Sequence, residues 1–79
     1  MITLVPVSGL KSGDWIDLEG DTIADPDRTN AYYQSQYVEV YEVELETADC
    51  VVVHPEVGNS VGFPPDHMVP RVDQKEFCR

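Results

Sequence analysis

The chain's 79 residues leave room for one domain and one modest core, at a size where folding buries only roughly 60–65% of the surface. Fifteen acidic against five basic residues give a formal charge of −10, which disfavours attraction to nucleic-acid phosphates and to anionic membranes and leaves a neutral or basic protein as the expected partner. Hydrophobic residues make up 42% and fall in alternating or short continuous runs, so the acidity does not signal disorder.

Residues 1–9 read as an N-terminal edge segment: Ile2, Leu4 and residues 5–7 are extended, and Pro6 confines them to an edge. No basic residues precede this stretch, and Lys11 and Asp14 follow soon after it. Neither a signal peptide nor a membrane span is expected, and the cytoplasm is the default location. Leu10, bracketed by Ser8-Gly9 and residues 11–14, sits in a turn as an apolar plug. Residues 15–19 read as a strand with Ile16 and Leu18 facing in and Trp15, Asp17 and Glu19 facing out. Residues 20–30 are polar and aperiodic, a long loop of the kind that often carries function.

The next segment changes phase. Val38 and Val40 lie on one face of a strand, whereas Tyr41, Val43 and Leu45 lie on the other, opposed by Glu42, Glu44 and Glu46. A single inward face holds both apolar sets only if a bulge or sharp bend intervenes near Val40 and Tyr41. After a turn at Thr47-Ala48-Asp49, residues 50–54 form a valine-rich strand with Val51 and Val53 on one face and Cys50, Val52 and His54 on the other. Gly58-Asn59, flanked by valines, predicts a short hairpin turn of the primed type returning through Val61, Gly62 and Phe63. Pro64 and Pro65 open a tight 3₁₀-like turn, residues 69–72 form a last short strand, and residues 73–79 a flexible tail. The segments compose one all-β domain over residues 1–79.

The order of strand, long loop, bent strand, turn, strand, hairpin, strand, 3₁₀ turn and strand over residues 14–72 resembles the SH3-like antiparallel barrel, with an extra N-terminal segment. In the peptide-binding members of that group a tryptophan opens the third strand and a proline and tyrosine line the groove. Here Asp49 and Cys50 stand at the strand opening, and Asp66 and His67 in the turn, so that mode of peptide binding is not expected. Residues 10–21 and 61–67 are also similar to small proteins of actinobacteria and their bacteriophages, a likeness that implies such an origin and no activity. The Leu10-Lys11-Ser12-Gly13-Asp14 turn resembles intein-type domains, but their N-terminal cysteine and terminal His-Asn pair are absent, which excludes splicing.

No motif specifies a reaction, cofactor or metal. Cys50 and His54 share a strand face, and His67 and Asp66 approach them only if the last turn folds across the barrel; same-face strand residues two steps apart are ~7 Å from each other, and neither C-x-x-C nor H-x-x-x-H spacing occurs. His67 is expected to bond backbone in the Pro-Pro turn, with Asp66 capping it. Asp25 to Asn30 starts like a calcium loop, yet has Pro26 second, Asn30 in place of glycine and Gln36 where a bidentate Glu is needed. Ser8, Ser12, Ser35 and Ser60 have no histidine beside them in sequence, and the strand carboxylates face water, so no catalytic site is expected. Cys50 and Cys78 read as a strand thiol and a tail thiol.

The clearest polar feature is the row Glu42, Glu44 and Glu46, like charges ~6.7 Å apart that repel unless a cation or basic partner is close. A non-enzymatic protein-interaction module is the leading expectation, its contacts drawn from Trp15, Tyr32, Tyr33, Tyr37 and the three glutamates. An acidic DNA mimic and a small structural subunit of a larger assembly are the alternatives.

Overall fold

In the computed structural model, which describes residues 2–34 and 37–72, a bulge resolves the phase change at Val40. Strand β3 (Val38–Thr47) pairs with β4 (Cys50–Pro55) so that Val40 faces Pro55 but Glu42 faces His54, leaving Tyr41 as the extra residue. Val38 and Val40 are thereby buried before the bulge. Val43 turns toward the same side after it.

The remaining strands are β1 (Ile2–Pro6), β2 (Trp15–Ile16), β5 (Val61–Phe63) and β6 (Met68–Val72). All pairings are antiparallel, in the order β1-β6-β2-β3-β4-β5. The expected barrel is not closed: among the described residues β1 occupies the outer side of β6, β5 pairs only with β4, and the ladder ends at both. Helix is confined, among the described residues, to one 3₁₀ turn at Val7–Gly9. Its amides bond across to the turn before β6, Val7 N donating to His67 O at 2.9 Å and Ser8 N to Pro65 O at 3.4 Å. Val7, Ile16, Val40, Val51, Phe63 and Val69 are fully buried between the coiled sheet and the long loop, with Leu10 and Leu18 at the core's margins.

Two local expectations are corrected. The strand predicted over residues 15–19 stops at Ile16, because Asp17 Oδ1 accepts the Glu19 amide and starts a turn that competes with the ladder. The Gly58-Asn59 turn is instead a loop over residues 56–60. Glu56 N donates to Glu39 O at 2.9 Å and the Tyr32 hydroxyl donates to Val57 O, drawing the loop toward β3 and the long loop. Gly58, at φ +103, lets the Tyr32 ring pack on it, since a Cβ there would meet ring carbons at 3.1 Å. The tail over residues 73–79, with Cys78, lies outside the described residues, as does Gln36.

The long loop is built on its acids. Asp21 Oδ1 accepts the amides of Ile23 and Ala24 at 2.8 and 2.9 Å. Asp25, 2% exposed, accepts Gly20 N and Asn30 N at 3.1 and 3.0 Å, one on each carboxylate oxygen. The Gly20 amide holds its carboxyl below the ordinary value against the cost of burial, helped by the Asn30 and Thr29 amides and the Arg28 charge. Two carboxylates that read as loop surface are therefore structural.

Candidate functional site

Beyond the bulge β3 carries two different faces. Glu42, Glu44 and Glu46 are exposed on the outer face, which β4 continues with Cys50, Val52 and His54. On the reverse, Val43 packs against the core while Leu45 is 70% exposed, and Tyr41 at the bulge is 57% exposed. Beneath this reverse face Ser8, Leu10, Val43, Leu45 and Val51 line an open recess of about 260 Å³.

Trp15 is half-buried on β2, directly opposite Glu39 on β3 and Val72 on β6. Directly paired residues share a sheet face, so Trp15 and the glutamate row stand on the same outer face with Glu39 between them. The tyrosines do not join that surface as a set. Tyr33 is 5% exposed in the core, where burial raises its phenol above the ordinary value, reinforced by Tyr32, Asp25 and Asp21. Tyr32 meets it edge-on at 5.3 Å and is tied to the 56–60 loop. Tyr37, exposed, leads into β3.

Sequence reading missed a hydrogen-bonded string that crosses β3 and β4 to the end of the 56–60 loop. His54 Nε2 donates to Glu44 Oε1 at 3.0 Å, which makes Nδ1 of a neutral ring the acceptor for the Ser60 hydroxyl at 2.6 Å. Ser60 thus has a histidine beside it after all. The register Val53 opposite Val61 places it there, and only the loop length could have foretold that register. The string lies on an open sheet face, with Glu44 and Ser60 exposed. Next to it the Cys50 thiol is pushed up by burial and by the charge and hydrogen bond of Glu46, which keeps it protonated and a poor nucleophile.

His67 is also corrected. Its ring stacks on Phe63 at 5.0 Å and donates from Nε2 to Asp21 Oδ2 at 2.8 Å, pinning the long loop to the turn before β6; only its backbone amide serves the Pro-Pro turn, donating to Pro64 O at 3.0 Å. Among the described residues no group of three or more His, Cys, Asp or Glu side chains is placed to hold a metal ion. No helix among them is long and apolar enough to cross a membrane.

A second surface was not singled out from sequence. The β1–β6 register puts Ile2, Leu4 and Pro6 on one face with Val72, Pro70 and Met68, and Trp15 continues it. Ile2 and Leu4 are 54% and 62% exposed, making an apolar outer face beside the acidic one. Comparison of the chain with protein-family models, curated proteins and solved structures returns no match.

Proposed function

We propose that the chain is a non-enzymatic protein-interaction module whose strands β2 to β6 follow the SH3-like order, and that its partner is a basic protein docking at the distal half of β3. One observation carries the reading: on a single strand, three exposed carboxylates stand in a row while Leu45 exposes apolar surface beside a recess and Tyr41 stands exposed at the bulge. Charge steers the encounter and apolar contact holds the complex. The Glu44, His54 and Ser60 string supports no hydrolytic reading, because it lacks a sheltered pocket in which a reacting group is held out of water.

The inward use of Asp21 and Asp25 interrupts the regular surface spacing that a DNA mimic needs, and so favours the protein partner over that alternative. The apolar face formed by Ile2, Leu4 and Met68 favours a second reading, a subunit seated in a larger assembly. The test is affinity capture followed by binding kinetics of the purified pair at low and high salt. Reversal of Glu42, Glu44 and Glu46 to lysine slows association and removes its salt dependence, and Leu45→Ala speeds dissociation. Kinetics indifferent to both substitutions refute this docking surface, and loss of binding on Leu4→Asp alone assigns the contact to the apolar face.

A further inference from the structure

Among the described residues, strand β3 has an unpaired edge beyond its bulge. On its β2 side it is paired only at Val38 and Glu39, and Val40 bonds the turn before β2, with Gly13 N donating to Val40 O at 2.7 Å and Val40 N to Asp14 O at 2.8 Å. Among the described residues no strand continues that pairing past the bulge. Between Glu42 and Leu45, ahead of a second register shift between Leu45 and Thr47, every second residue therefore directs its amide and carbonyl away from β4.

We infer that this edge receives a strand from the partner, and that the segment alternates lysine or arginine with large apolar residues. The inference rests on the interaction-module reading and adds its geometry and chemistry. A strand laid antiparallel along Glu42 to Leu45 and reaching the bulge at Glu46 places its side chains alternately on the two faces. Those on the outer face stand opposite Glu42, Glu44 and Glu46, where positive charge relieves the repulsion within the row. Those on the reverse face lie beside Val43 and Leu45 over the recess, whose volume of about 260 Å³ is several times the ~30 Å³ of one water. The recess thus admits a large apolar side chain.

A second copy of this chain offering the same edge is excluded as the occupant by charge, since pairing β3 with itself sets one glutamate row against another. The glutamates that guard an edge against its own kind select a basic strand.

The probe is an acetylated, amidated heptapeptide with lysine at its odd positions and valine, leucine and valine at its even ones, titrated into the ¹⁵N- and methyl-labelled protein. Binding is expected to be saturable, to shift the Val43, Leu45 and Val51 methyls and to slow amide exchange over residues 41–47. Glutamate in place of the peptide lysines, or reversal of Glu42, Glu44 and Glu46 to lysine in the protein, weakens binding about tenfold or more. N-methylation of alternate peptide amides, on the edge that meets β3, abolishes it by removing the ladder donors. Equal binding of the N-methylated peptide, shifts confined to Ile2, Leu4 and Met68, or no saturable binding each overturns strand addition. The interaction-module reading is decided separately, by the kinetics with the captured partner.

Discussion

Cutting the tie between Asp21 and His67 tests whether the long loop is part of the fold or draped over it. Their side chains are only 6% and 15% exposed, so solvent screens the contact little. Asp21→Ala removes one bond to a buried ring, worth about 1.5–3 kcal/mol for a charged acceptor, and an acceptor for the half-buried Ala24 amide at about 0.5–1.5 kcal/mol. The exposed Ile23 amide recovers water. A loss of about 2–4 kcal/mol is expected, against a total stability of about 4–12 kcal/mol for a domain this size. His67→Ala loses the same bond and the stack on Phe63, about 2–3 kcal/mol. Urea unfolding of the two single variants and the double variant at pH 7 gives the coupling, expected at about 1–3 kcal/mol. Additivity within about 0.5 kcal/mol refutes the tie. Asp66→Ala, at an exposed position, is the control and shifts stability by less than about 0.5 kcal/mol; a large effect there restores Asp66 as the cap of the turn.

Two further outcomes follow from the loop. The Asp25 carboxyl is held below its unfolded value of 3.8, so its contribution is complete above that pH and is lost as pH falls through the lower folded value. Urea midpoints measured from neutral to strongly acid pH therefore fall in the acid limb, and Asp25→Asn, less stable at pH 7, flattens that limb; an unchanged slope contradicts the assignment. Gly58→Ala forces a side chain into a positive φ and against the Tyr32 ring, costing about 1–2 kcal/mol or more, and calorimetry is expected to show a Tm about 4–8 °C lower for each kcal/mol. Pairing it with Tyr32→Ala recovers part of the loss if the ring contact matters, and none if backbone strain is the whole effect.

The bulge was legible because side-chain alternation is binary: once Val40 is fixed as inward, Tyr41, Val43 and Leu45 cannot share its face without an extra residue. The edge position of β1 was legible from Pro6, and the Val51 and Val53 face from plain alternation. Asp21 and Asp25 were not, because side chains that replace water with backbone amides look in sequence like any solvated acids. His67 finds its partner 46 residues upstream, where no local rule reaches. The meeting of His54 with Ser60 depended on a five-residue loop held in place by Tyr32 and Glu39 rather than by its own turn residues. Closure of the sheet failed as an expectation for a related reason. Coiling of one strand is local, whereas what lies beside β1 and β5 depends on the whole chain.

The pairing of β1 with β6, Ile2 opposite Val72 and Pro6 opposite Met68, imposes an order of assembly. The hairpin of β3 and β4 closes through a turn of two residues and forms on the microsecond scale. Joining β1 to β6 closes a loop of some sixty residues, at an entropic cost of about 3–4 kcal/mol beyond the constant term. That cost is best met once β2 has docked on β3 and offers β6 a second ladder at Trp15 and Ile16. The β3–β4 hairpin therefore belongs to the folding nucleus and the β1–β6 pair to the descent after the barrier. Substitutions in Ile2 to Pro6 then act on the unfolding rate and leave the folding rate almost untouched.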